Sequence, residues 1–336
     1  MEKICDAVFE GGGMRGIGLV GAVAKFQKHG YKFRNVAGSS AGAIVAGLIA
    51  AGYTPQEMYE EMSKVNFEKF KQSSLPKAFG PLGILVGATK NFGLYCATSF
   101  EEWYDGLLAK KGVSTFGDVG GRLKLTASDV TDQRGLLLPN DLTHFGIDPK
   151  TFKISTAVRM SMGIPVFYEP YELIDKDGAI HYIVDGGMLS NYPIWILDDG
   201  SKRPDVAVIG FRFMRYPGEK RTKKTNLITY VKQIVSTIIE ASDDEFGITI
   251  RGDKERTVYI DTKVGDTVVG ITDFGMSSDQ VESLYKNGVN AAEDFLESWD
   301  FKKWKKLYRN NQDSMLSKMK RSRIKKDEDW NETYPF

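Results

Sequence analysis

Ser40 is set by its neighbours to act as a nucleophile. It is the central residue of Gly38-Ser39-Ser40-Ala41-Gly42, a GxSxG between an apolar segment and a run of small residues. Between a strand and a helix, such a turn exposes a serine hydroxyl for attack on a carbonyl, and Gly38 and Gly42 leave room for strand and helix to approach. A serine also needs a base to take its proton. The chain holds three histidines, His29, His144 and His181. His29 lies beside Gly30 at an expected helix end, where a cation suits the helix dipole. His144 lies in the turn-like stretch NDLTHFGID, and His181 in an expected strand four residues before Asp185. The order serine, acid, histidine is open only through His144 or His181 with an acid before it, because no histidine follows Asp185.

Two further clusters have chemical potential. Asp185-Gly186-Gly187 follows an apolar strand candidate. Carboxyl ends of strands are where open α/β sheets place ligands, and the glycine pair allows a sharp turn that holds the carboxylate outward. Asp-Gly is equally an ordinary turn pair. The second cluster, Gly11-Gly12-Gly13-Met14-Arg15-Gly16, opens an expected helix. Gly11, Gly13 and Gly16 satisfy the dinucleotide pattern GxGxxG, which also needs an acid about 20 residues on. No Asp or Glu stands between Glu10 and Glu57, and Arg34 precedes the second strand rather than ending it. The alternative is an anion site. Successive glycines free backbone N–H groups to point at one spot, for a phosphate or a developing oxyanion, with the charge of Arg15 beside it.

The elements that must position these groups alternate. A strand over residues 5–10 runs into the glycine loop and a helix over 17–29. A second strand ends at Gly38, and a helix follows over 41–51. Two such units argue for an α/β sheet with helices on its faces. Thr54 is an expected N-cap for a helix over 55–70, and residues 72–98 read as irregular, apolar and glycine-rich. Helices are expected over 99–111, 152–162, 227–241 and 278–299, and strands over 123–127, 136–138, 180–184, 206–213 and 257–261. Neither a repeat nor a Pro- or Ser-rich linker divides the chain.

Composition narrows the classes. With 336 residues, 42% hydrophobic and 26% charged, the chain can bury a large core. A formal net charge of +1 selects no nucleic acid. Two cysteines, Cys5 and Cys96, build no disulfide framework, and no Cys/His spacing suggests a metal. The first residues lack the apolar stretch of a signal peptide, so a cytoplasmic location is expected. Residues 301–326 are basic, with KKWKK at 302–306 and KRSRIKK at 320–326. They read either as a helix packed through Trp304 or as a contact with anionic membranes.

GGGMRG, GSSAG and DGG, in that order, resemble the patatin-like phospholipase family. DGGMLSNYP at 185–193, including Asn191 and Pro193, is similar to that family's stretch after the catalytic Asp. TASDVT at 126–131, AVRMSMGIPVF at 157–167 and the helix from Ser278 also match its blocks. The resemblance covers roughly residues 5–298; the tail after 300 has no counterpart in the family core. It implies a three-layer α/β/α sandwich around a mixed, mostly parallel sheet, with residues 1–300 as the acyl hydrolase domain and 301–336 as a basic extension. It implies a Ser–Asp dyad, with Ser40 as nucleophile and Asp185 as general base. Amides near Gly12, Gly13 and Met14 would form an oxyanion hole within the loop Gly11–Gly16, steadied by Arg15. It further implies lipid-ester substrates, with no metal or other cofactor, and residues 75–95 could form an acyl groove or lid. The competing readings are an acyltransferase of the malonyl-transacylase type, which needs a histidine partner, and a non-catalytic phosphate- or nucleotide-binding module.

Overall fold

A computed structural model describes residues 3–65, 67–70, 91–198, 204–216, 227–241, 252–273 and 275–309. Most of the expected groove at 75–95 and the basic run at 320–326 lie outside the described residues. The strands are β1 (Lys3–Phe9), β2 (Tyr31–Gly38), β3 (Gly93–Tyr95), β4 (Leu123–Asp129), β5 (Arg134–Leu138), β6 (Val166–Tyr168), β7 (Tyr171–Ile174), β8 (Ile180–Asp185), β9 (Ala207–Phe213), β10 (Thr257–Ile260) and a short antiparallel pair, β11 (Lys263–Val264) and β12 (Thr267–Val268). The helices are α1 (Gly16–Lys28), α2 (Ala41–Ala50), α3 (Pro55–Ser63), α4 (Thr98–Lys110), α5 (Ile154–Met162), α6 (Leu227–Ala241), α7 (Ser278–Ser298) and α8 (Phe301–Tyr308).

The central sheet runs β10-β9-β1-β2-β4-β8-β7, with β5 also paired to β4. From β10 to β4 every pairing is parallel; β4–β8, β8–β7 and β4–β5 are antiparallel. The sheet is therefore mixed and mostly parallel, flanked by helices, as expected. β1 and β2 are central, and β1 ends in the apolar run Ala7-Val8-Phe9, buried because both faces of the sheet are covered there. On one face, Phe9 stacks on Phe211 at 4.9 Å, with Phe26 of α1 edge-on to Phe211 at 5.0 Å. On the other, Tyr192 and Ile194 close over Val8, Ala37 and Val208.

α1 and α7 cross at backbone contact. A Cβ on Gly21 would strike the carbonyl of Tyr285, and one on Gly288 the carbonyl of Gly18. That explains glycines inside two helices despite their cost of about 1 kcal/mol each. Thr54 caps α3 in a full capping box with Glu57. The helix stops at Ser63 and a separate turn spans Phe67–Phe70, shorter than the expected 55–70. Val65, a poor helix former, lines a cavity instead. β3 falls inside the stretch expected to be irregular and pairs with β6, a three-residue strand too short to show a period. Among the described residues no helix is long and apolar enough to cross a membrane.

Candidate active site

The register of the sheet assembles the site. Phe9 at the end of β1 lies opposite Gly38 at the end of β2, so the glycine loop and the GSSAG turn leave adjacent parallel strands side by side. Gly38 pairs with Leu125 of β4, and Ala127, two residues on, pairs with Asp185 of β8. Asp185 therefore arrives from the antiparallel side of the sheet. The rule for carboxyl ends of parallel strands pointed to Asp185, which stands at the end of a strand running the other way.

Ser40 has φ +50° and ψ −120°, a left-handed-side conformation that side-chain-bearing residues rarely hold. Its N–H donates to Ser161 Oγ at 3.0 Å, which pins the turn to α5. Gly42 is required below it, because a Cβ there would collide with the carbonyl of Phe9. The Ser40 hydroxyl donates to Asp185 Oδ2 at 2.7 Å. Asp185 Oδ1 accepts the Gly187 N–H at 2.7 Å, an arrangement that caps the short turn Gly186–Met188. Asp185 is fully buried and has no ion-pair partner among the described residues. Burial pushes its carboxyl up to about 7, against the opposing effect of the Ser40 and Gly187 hydrogen bonds.

The glycine loop is held from several sides. The Gly11 N–H donates to the Asn191 carbonyl at 3.0 Å, and Asn191 Nδ2 returns a bond to the Gly11 carbonyl at 3.3 Å. Arg15 is buried, donates from Nε to the Gly12 carbonyl at 3.1 Å, and lies 5.0 Å over the Phe213 ring. Gly13 turns at φ +53°. The Met14 N–H, expected to face an oxyanion, instead donates to the Ile271 carbonyl at 3.1 Å. The Arg15 N–H goes to Gly12 and the Gly16 N–H to Gly13. Among the described residues no acceptor meets the N–H groups of Gly12, Gly13 or Ala41. Gly13, Ser40 and Ala41 face one cavity of about 120 Å³. Its walls are mostly apolar, from Ile17, Ile44, Phe100, Met162, Ile164 and Ile271 among others, with Ser63 and Ser278 also on the lining.

The three histidines are elsewhere. His29 closes α1 with Nδ1 at 3.0 Å from the Lys25 carbonyl, and His144 is exposed near Arg134 and Asp141. His181 is buried with Nδ1 2.9 Å from Asp129 Oδ2 and 3.6 Å from Asp132. Burial works against charging it, but the Asp129 hydrogen bond and charge outweigh this and hold its pKa above the ordinary value. Four residues of extended strand separate it from Asp185, about 13 Å. Sequence reasoning gave no role to Ser161 or Ile271. A serine inside a helix and an isoleucine after β10 carry no local signal of their contacts.

A family model described as patatin-like phospholipase matches residues 7–198. The chain is 36% identical over 299 residues to the uncharacterized protein YqhO of Bacillus subtilis (strain 168), covering 88% of this chain and 99% of that protein. It is 24% identical over 238 residues to the probable lipid hydrolase 463L of Invertebrate iridescent virus 6, covering 68% of this chain and 70% of the viral one. Among solved structures, VipD from Legionella pneumophila superposes with a TM-score of 0.44 at 19% identity, covering 88% of this chain and 67% of VipD.

Proposed function

The chain belongs to the patatin-like phospholipase family, and from that premise we propose that it is a lipid acyl hydrolase of the phospholipase A or lysophospholipase kind, working through Ser40 and Asp185. The observation that carries the reading is the 2.7 Å hydrogen bond from Ser40 Oγ to a buried carboxylate with no cation beside it among the described residues.

In the reaction, Ser40 Oγ attacks the ester carbonyl carbon as Asp185 Oδ2 takes the hydroxyl proton. The carbonyl oxygen becomes an oxyanion, for which the N–H groups of Gly12, Gly13 and Ala41 are the donors; removing one such donor typically costs about 100–1000-fold in rate. Collapse breaks the bond to the alcohol, which leaves with the proton from Asp185 and a Ser40 acyl ester behind. Water then attacks that ester with Asp185 again as base, releasing the fatty acid and restoring the hydroxyl. A carboxyl raised to about 7 accepts a proton far more readily than one at the ordinary aspartate value of about 3.9. The apolar cavity beside Ser40 suits an acyl chain.

The test is a fluorophosphonate probe together with fatty-acid release from phospholipids, lysophospholipids, galactolipids and triglycerides. Labelling at Ser40, and fatty-acid release that Ser40→Ala abolishes, are expected. Unlabelled Ser40 with full release in Ser40→Ala would overturn the assignment, and acyl transfer to a thiol in place of release would favour a transferase.

A further inference from the structure

On the lipid-ester reading above, we infer that the outward face of α6, formed by Tyr230, Ile234 and Ile238, seats the protein on an anionic lipid bilayer and holds the mouth of the Ser40 cavity at that surface.

α6 has two apolar sides. Val235 and Ile239 are buried and pack with Ile164, Phe167, Tyr168 and Ile271. Three of these, Ile164, Tyr168 and Ile271, line the cavity beside Ser40. Ile239 also closes over Gly187, in the turn that carries Asp185. The inward side of α6 is thus part of the construction of the site. On the outward side Tyr230 is 54% exposed, Ile234 41% and Ile238 39%. Spaced by four residues, they form one stripe about 12 Å long. Between them the described side chains are Gln233, Ser236 and Thr237; the two charged residues in the sequence of α6, Lys232 and Glu240, occupy none of the three stripe positions. A helix facing water ordinarily presents charge on its outer side.

Charge nearby in the sequence points to the partner. The ten residues before α6 carry Lys220, Arg221, Lys223 and Lys224 against one acid, Glu219. A basic run followed by a helix with an uncharged apolar face is the composition of a segment that lies in a headgroup interface, and its sign complements anionic lipid. Three side chains fall far short of the roughly 20–30 residues per partner of a standard protein interface, which argues against a second copy on this face.

Vesicle flotation tests this in a Ser40→Ala background, so that lipid is not consumed. The probes are vesicles of phosphatidylcholine and phosphatidylglycerol, 1:1, and of phosphatidylcholine alone. Adding Tyr230→Ser, Ile234→Ser and Ile238→Ser together should lower the fraction bound to the anionic vesicles at least tenfold, with an unchanged melting midpoint. Binding to phosphatidylcholine alone should already be weak. If the triple variant melts early, Ile234→Gln and Ile238→Gln decide singly, each expected to weaken binding severalfold. Equal binding by the variants overturns the assignment, as does a dimer on gel filtration that the triple variant dissolves. Flotation reads docking and fatty-acid release by the unmutated chain reads chemistry. Stripe-dependent binding without release would therefore uphold docking and overturn the hydrolase reading, and release with stripe-independent binding would do the reverse.

Discussion

Two aspartates of this protein are buried with opposite company. Asp185 is 0% exposed and meets a hydroxyl and an amide. Asp198 is 4% exposed and meets two guanidinium groups: Arg256, at 2.7 Å, and Arg309. Arg256 is itself held by Asp253, and the Trp304 ring lies 5.3 Å from Arg256 and 5.0 Å from Arg309. Desolvation penalises both carboxylates. At Asp198 the penalty is offset by paired charge, and the result is a fastening for α8. At Asp185 it is left standing, and the result is a carboxyl raised to about 7. A buried acid surrounded by cations is a joint; one with none beside it among the described residues is, in the proposed dyad, a reagent.

The largest expected effect lies at the reagent. Ser40→Ala and Asp185→Asn should each lower turnover of a soluble short-chain ester by about a thousandfold or more, and the double variant should be little worse, because such residues act as one unit. Full activity in Asp185→Asn would remove the distinction between the two acids. Next comes the joint. Asp198→Ala leaves Arg256 and Arg309 short of a buried partner and should cost about 3–5 kcal/mol in urea unfolding, with activity per folded molecule retained. A loss below about 1 kcal/mol would mean the pair is not the fastening described.

The pH profile is the third. In the proposed dyad Asp185 acts as a base only when ionised, and its carboxyl is raised to about 7. Activity should therefore climb as pH rises through 7 and fall about tenfold per unit well below it, read as kcat/KM on a neutral ester. An acid limb near pH 4 would indicate a carboxylate as well hydrated as one on the surface. The smallest effect is expected at the histidines. Replacing His29, His144 and His181 together by Gln should leave kcat/KM per folded molecule within about twofold. A collapse caused by the His181 change alone would return the base to a triad.

The sequence revealed what is local. Ser40 stood out because GSSAG sits between a buried strand and a helix, and the glycine loop because it opens α1. Asp185 was marked by its glycines, although β8 runs antiparallel to β4, which only pairing with a distant strand decides. The loop amides were legible as a group and not one by one. The Met14 N–H is taken by Ile271, more than 250 residues away, and the Gly11 N–H by Asn191. The end of α3 at Ser63 and the short pair β3–β6 were hidden because tertiary contact overrode weak local preference. The packing of Trp304, whose Nε1 donates to the Gly252 carbonyl at 2.8 Å, rests on a partner about fifty residues away that the basic run itself does not signal.

The backbone of Ser40 has a consequence for how the molecule has been selected. At φ +50° and ψ −120° a residue with a side chain is held where glycine would be comfortable. Strain of this kind is worth about 1–3 kcal/mol. Ser40→Gly should relax the turn and raise the melting midpoint of the folded chain while leaving nothing to attack an ester. Stability alone would discard the serine, so its presence there records selection for something other than folding.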